Sequence, residues 1–344
     1  MDRTTRICVI GEWLHGLADE GIHNLAQNLI DQWKKEHQVS TIKIGADIPV
    51  NRLFISSRLR KVLRDCHPDI IFYISPSSAN MPALLRAKMI KTYSSRAKVW
   101  VIATQPAIYG PLERWLLPLF SPDGIFVQFQ RGNDLLHNFR CPVHFLPSGV
   151  DLGRFIPIET KQRSALRKSY GVDENSFVVL HVGHINHRRN IEILSDIAQI
   201  KQTQVILVGS ASTPQDEYLI NQLSQKNVRI FRDFIPNIQE LYQLADVYVF
   251  PVNFENAAIG VPLSVLEAMA CNLPVITTRF GGLPQMFQEG QGLFYFDSER
   301  ELSVLISKAR SLPHCLTRQM VDAYTWDRIA RNALDLVQKD DVLG

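Results

Sequence analysis

The sequence predicts an α/β protein built from two successive doubly wound, Rossmann-like domains. Three observations lead there. Short apolar runs alternate with longer segments of helical period along the whole chain, as expected for βα units on parallel sheets. The length, 344 residues, exceeds the roughly 250–300 residues over which a single core usually grows. The strand candidates also fall into two groups, with a turn-rich stretch between them.

In chain order, Arg6–Gly11 reads as the first strand. Residues 21–34 follow as a helix, with Ile22, Leu25, Ala26, Leu29 and Ile30 on one face. Thr41–Ile44, Ile70–Ile74, Val99–Ala103, Gly124–Gln128 and His144–Pro147 complete the first group of strands. Ser148-Gly149-Val150-Asp151, continuing through Phe155 and Pro157, reads as a linker. The second group is Phe177–Val182, Gln204–Val208, Val228–Phe231, Val247–Pro251, Pro274–Thr277 and Gly292–Phe296. The expected division is therefore 1–150 and 151–323, followed by residues 324–344.

Composition is that of an ordinary globular protein, 46% hydrophobic and 21% charged. Five scattered cysteines without a CxxC pair suit a reduced, cytoplasmic chain and offer no zinc framework. No apolar run approaches the roughly 20 residues of a spanning helix, and residues 7–10 are too short for a signal-peptide core. No nucleic-acid partner is expected. The net charge of +3 divides into +6 over residues 1–150 and −3 over the remainder. Much of the excess lies between Arg52 and Lys98, where Ile55, Leu59, Val62 and Leu63 interleave with Arg58, Arg60, Lys61 and Arg64. Such an amphipathic helix is either a solvated face or a contact for an anionic membrane surface or acceptor. The apolar segment 115–120 is expected to be a buried connection, with a membrane-dipping or acceptor-binding loop as the alternative.

The stretch Ile259–Thr278, IGVPLSVLEAMACNLPVITT, reads as a phosphate-binding turn, a short buried helix and a buried strand. Gly260 and Pro262 break the chain before the apolar run Leu263–Ala270. The free backbone N–H groups and positive dipole end of such a helix suit a phosphate. Glu267 stands one turn after Leu263 among Leu266, Ala268, Met269 and Ala270, where an unpartnered carboxylate is costly to bury. A ligand hydroxyl pair, such as a ribose, would be a fitting partner; an exposed glutamate on an ordinary core helix is the alternative.

These residues resemble the donor-site signature of family 4 glycosyltransferases, retaining enzymes of the GT-B fold, in which two Rossmann-like domains face a central cleft. The likeness extends through LPSGVDLGRF (146–155), VVLHVGHINHRRNIEIL (178–194), VILVGS (205–210), NVRIF (227–231), LYQLADVYVFP (241–251) and YTWDRIA (324–330). It implies that Glu267 binds the nucleotide ribose and that the backbone of Gly260, Val261, Pro262, Leu263 and Ser264 holds the diphosphate. The first glutamate of the family's donor-site pair is replaced here by Ile259, four residues after Glu255. The family's phosphate-binding Arg and Lys correspond to His184, just after Gly183, and Arg189, with Arg188 as a substitute. Phe234 and Ile235 fall where the base often sits. The first domain would close over the donor and bind the acceptor, with His15, Gly21 and Gln105 on the acceptor or sugar side. The C-terminal helix would cross back onto that domain.

The donor substrate implied is a nucleotide diphosphate sugar, with no cofactor; the acceptor is a carbohydrate or a lipid-linked molecule. The sequence holds no Asp-x-Asp, so the positive charge opposing a departing diphosphate is expected from the protein. Metal binding by His181, His184 and His187 is not expected, since no Cys or carboxylate joins them at ligand spacing.

Overall fold

The computed structural model describes residues 4–12, 20–129 and 138–343. Among these residues the strands form two six-stranded sheets, parallel throughout. The fold class predicted from the alternating periods is the one observed. Two compact units are present. One comprises residues 1–148, 259–261 and 326–344, and the other residues 149–258 and 262–325.

The first sheet contains β1 (Arg6–Gly11), β2 (Gln38–Lys43), β3 (Ile70–Ile74), β4 (Lys98–Ala103), β5 (Gly124–Val127) and β6 (Val143–Phe145). Their spatial order is β2-β1-β3-β4-β5-β6. β3 and β5 are buried along their whole length, which is why they read as unbroken apolar runs. Helix α1 (Gly21–Trp33) follows β1. Helices α2 (Ser57–Cys66), α3 (Met81–Tyr93) and α4 (Pro111–Leu116) follow β2, β3 and β4. The step from β1 to β2 runs opposite to the steps from β2 through β5. With right-handed crossovers, α1 covers one face of the sheet and α2, α3 and α4 the other. On the α1 face Trp33 stacks on Phe72 at 4.4 Å between centroids, and Trp100 on Phe126 at 4.7 Å. The Trp33 indole N–H donates to Ala330 O at 2.9 Å, tying the C-terminal helix Trp326–Leu343 to α1.

The second sheet contains β7 (Phe177–Val182), β8 (Thr203–Val208), β9 (Val228–Phe231), β10 (Val247–Phe250), β11 (Val275–Thr277) and β12 (Leu293–Tyr295). Their order is β12-β11-β10-β7-β8-β9. The chain winds outward from β7 in one direction and then from β10 in the other. The crevice at the C-terminal ends of β7 and β10 is thus the topological switch point, where open parallel sheets bind ligands. The turn-rich 148–157 segment starts this unit. Val150 N donates to Tyr324 O at 2.9 Å.

Candidate functional site

β7 delivers the first group of side chains. His181 is fully buried near its end, where ring Nδ1 lies 2.8 Å from Val249 O. A carbonyl only accepts, so Nδ1 carries the proton and Nε2 presents a lone pair. That Nε2 is buried without a hydrogen-bond partner. Burial, against the help of the Val249 carbonyl, lowers the ring's pKa to about 4, and the Arg189 charge adds to the effect. The ring is neutral at ordinary pH.

Gly183 follows, and then a loop whose short turn His187–Arg189 is ended by Asn190 in the left-handed conformation, φ 53°. That turn sends neighbouring cations in opposite directions. Arg188 is exposed, whereas Arg189 is 8% exposed and its Nε has no hydrogen-bond partner. Burial pulls the Arg189 pKa down to about 10, with the nearby Tyr248 opposing, so the guanidinium stays charged at neutral pH. Among the described residues no ion pair with a carboxylate offsets it. A buried cation in that condition is costly, and an anion supplied from outside the chain would relieve it. Position 183 is tightly enclosed. A Cβ there would stand 3.1 Å from His181 Nε2 and 3.3 Å from Arg189 Nη1.

β10 delivers Tyr248, which pairs with Leu180 of β7 across the switch point. Its hydroxyl donates to Val182 O at 3.2 Å, bonds Ser264, and feels the charges of Glu267 and Arg189. Tyr248 therefore links the β7 loop to the start of the Leu263–Ala270 helix.

That helix has Pro262 at its N-cap position, with no side chain satisfying its first N–H groups. Its C-terminal end is held by Arg318, which donates to Ala270 O, Phe155 O and Leu152 O. Glu267 lies one turn inside the helix. Its side chain is half-buried. Tyr242 donates to Oε2 at 2.8 Å. Burial raises the Glu267 pKa to about 7, against the lowering effects of the Tyr242 hydrogen bond and the Arg154 charge.

The other sequence-predicted residues are placed as follows. Ile259, Gly260 and Val261 belong to the first unit, whereas Pro262, Leu263 and Ser264 belong to the second. Gly260 N donates to Thr104 O at 2.6 Å, beside Gln105, and a Cβ on Gly260 would overlap the Gln128 carbonyl. Val261 N donates to Gln128 Oε1 at 3.3 Å, and Val261 O accepts from Ser148 Oγ at 2.7 Å. Ile259 lies against α1, where a Cβ on Gly21 would be 3.1 Å from Ile259 Cδ1. Gly21, Gln105, Ile259 and Gly260 are thus gathered in the first unit. Gly183, Arg189, Ser264 and Glu267 are gathered in the second. His184 is half-buried beside Gly183. Phe234 is exposed and Ile235 half-buried in the loop after β9, and no described contact joins either to Arg189 or Glu267. His15 lies outside the described residues. Two of the three histidines diverge: His181 is committed to Val249, while exposed His187 pairs with Glu192 and Asp216. Among the described residues no cluster of three or more His, Cys, Asp or Glu is arranged to hold a metal.

Sequence reasoning missed Tyr242, Tyr248 and the buried Nε2 of His181. For the tyrosines the signal was two hydroxyls in otherwise apolar segments, LYQLA and VYVF.

Comparison with known proteins follows the same lines. Residues 176–311 match the family model described as Glycosyl transferases group 1. The sulfoquinovosyl transferase of Arabidopsis thaliana is 26% identical over 311 residues, 84% of this chain and 57% of that protein. The D-inositol 3-phosphate glycosyltransferase of Geodermatophilus obscurus is 30% identical over 207 residues, 53% of this chain and 44% of that one. The chain spans about half the length of such relatives. Among solved structures, HepE of Anabaena in complex with UDP gives a TM-score of 0.75 at 17% identity, over 97% of this chain and 100% of that chain. Sucrose-phosphate synthase of Thermosynechococcus elongatus gives 0.73 at 18%, over 98% and 99%. The fold is GT-B.

Proposed function

We propose that the protein is a glycosyltransferase that takes a sugar from a nucleotide diphosphate donor, is similar to family 4, and retains the anomeric configuration without a metal. One observation carries this reading. Among the described residues Arg189 is a buried cation without a carboxylate partner, just after the strand at the switch point of a parallel sheet, and its charge, like that of Glu267, acts on Tyr248. A diphosphate would supply the missing counter-charge. The guanidinium can bind it through two donors at once.

In this reading Glu267 accepts the ribose hydroxyls. Hydroxyl donors favour the ionised carboxylate, so donor binding expels the proton that burial retains. Arg189 and the first N–H groups of the Leu263–Ala270 helix stabilise the charge growing on the β-phosphate as the sugar–phosphate bond breaks. The acceptor oxygen bonds the anomeric carbon on the face being vacated, and its proton passes to the leaving phosphate oxygen. The sequence, lacking Asp-x-Asp, favours these protein charges over a divalent metal. The acceptor is a carbohydrate or a lipid-linked molecule, bound by the first unit. The UDP in the HepE complex makes uridine donors the first to try.

A second reading rests on Ile259. An apolar side chain lies against Gly21, where the resemblance to family 4 would call for a carboxylate, and this suits a homologue that binds a nucleotide sugar without transferring it. Incubation with labelled uridine, guanosine and adenosine diphosphate sugars tests both readings. Release of nucleoside diphosphate, by transfer or slow hydrolysis, supports the enzyme. Saturable binding without turnover, unchanged in Ile259→Glu, supports the second reading; absence of binding overturns both.

A further inference from the structure

The face of the first sheet covered by α2, α3 and α4 is unusual in what it shows to solvent. Leu59 and Leu63 of α2 and Ala83, Leu84, Ala87 and Ile90 of α3 point inward, into the same core as Leu117 just beyond α4. Outward, α2 exposes Arg58, Arg60, Lys61 and Arg64, with Asp65 as its single acidic residue. Arg52, Lys88 and Arg114 are exposed as well.

The apolar groups on this side do not all face the core. Leu112 is 70% exposed, Trp115 73% and Leu119 54%. Their spacing, three and then four residues, makes one stripe along α4 and the turn after it, directed away from buried Leu117. Ile108 (87% exposed), just before α4, and Ile55 (55%), just before α2, are exposed as well. The structure therefore differs from the expected buried connection at 115–120. Leu117 alone in that segment is fully buried, and α4, six residues long, is too short to bury both of its sides.

The stripe is held in place. Tyr109 packs edge-on against Phe139 and donates to Ala79 O, Arg114 Nε donates to Tyr109 O at 3.2 Å, and Glu113 accepts from Gly110 N at 2.8 Å. Its outward aim is a property of the folded chain. A tryptophan and several aliphatic groups exposed on the same side of the sheet as the cations of α2 and α3 have the composition of an interfacial membrane contact.

We infer that this face docks on an anionic lipid bilayer. Trp115, Leu112, Leu119 and Ile108 enter the headgroup–acyl boundary, while Arg58, Arg60, Lys61, Arg64 and Lys88 meet lipid phosphates. Charge complementarity selects an anionic membrane over a second copy of this chain, which would bring like charges together. The inference gives residues to the membrane contact considered for the acceptor, and it does not depend on sugar transfer.

The test is vesicle binding by the full chain. Vesicles containing phosphatidylglycerol should sediment the protein, and pure phosphatidylcholine vesicles at least tenfold less of it. Raising salt from about 0.1 to 0.5 M should cost a further several-fold by screening. Brominated acyl chains should quench part of the fluorescence, and Trp115→Phe should abolish that part while binding persists. Leu112→Ser/Trp115→Ser and Arg58→Gln/Lys61→Gln/Arg64→Gln should each reduce binding about tenfold with the melting temperature and nucleotide binding retained. Equal binding to neutral and anionic vesicles, quenching that survives Trp115→Phe, or concentration-dependent dimerisation through this face without vesicle binding would overturn the inference. Because no arm reads transfer, its failure is distinguishable from failure of the glycosyltransferase reading.

Discussion

Replacing Glu267 by glutamine should make the empty protein more stable while weakening its hold on a nucleotide. Burial raises the carboxylate from 4.5 to about 7. Between those values the folded protein keeps a proton that the unfolded chain has released, so stability is lost as pH rises through that window. A shift of that size corresponds to about 3 kcal/mol, fully present above pH 7 and absent below pH 4.5. Glutamine carries no charge, and its carbonyl can still accept from the Tyr242 hydroxyl, so Glu267→Gln removes the cost and keeps the contact. Urea unfolding of both proteins at pH 5, 6, 7 and 8 measures it. The advantage of the variant should be small at pH 5 and grow to about 3 kcal/mol by pH 8. Taking the difference between proteins also cancels His181, whose lowered pKa acts in the opposite sense between about pH 4 and 6.5. In the wild type, nucleotide affinity should rise with pH through 7, and that dependence should vanish in the variant. A stability difference that does not change with pH, or a variant less stable at pH 8, would refute the reasoning.

Other outcomes follow from the same geometry. Gly183→Ala places a methyl between His181 and Arg189 and should lower nucleoside diphosphate affinity about tenfold with the fold retained, as calorimetry would show. Gly260→Ala drives a methyl into the Gln128 carbonyl and should cost about 1–3 kcal/mol of stability by denaturant titration. Tyr248→Phe removes the hydroxyl shared by Val182 O and Ser264 and should cost about 1 kcal/mol of stability together with several-fold in nucleotide affinity. Arg188→Ala, at an exposed position, should change stability by less than about 0.5 kcal/mol in the same titration.

The strands were legible because parallel sheets are covered on both faces, so β3 and β7 appear as continuous apolar runs whose ends can be read directly. The Leu263–Ala270 helix was equally plain, bounded by Pro262 before it and Pro274 shortly after. β2 begins at Gln38 rather than Thr41, because its outer residues are partly exposed and lack an apolar signature. The site was legible where a charge stands in an apolar segment, as at Glu267. It was not legible where chemistry depends on strand register, since Tyr248 meets the β7 loop only through the pairing of Leu180 with Tyr248. The assignment of Ile259–Val261 to the first unit depends on close approach to Thr104 and Gln128, far away in sequence. Trp115 shows the limit of composition. Apolar content suggested burial, while α4 is too short to bury both of its sides and leaves the ring exposed.

The most direct measurement is calorimetric titration of uridine, guanosine and adenosine diphosphate into the wild type and into Arg189→Met. At least one of these nucleotides should bind the wild type. Arg189→Met should lose that binding by about a hundredfold, yet unfold no more easily than the wild type, because it removes a buried charge that has no carboxylate counter-ion among the described residues. Undiminished nucleotide binding in Arg189→Met, or a large loss of stability in the absence of nucleotide, would contradict the account.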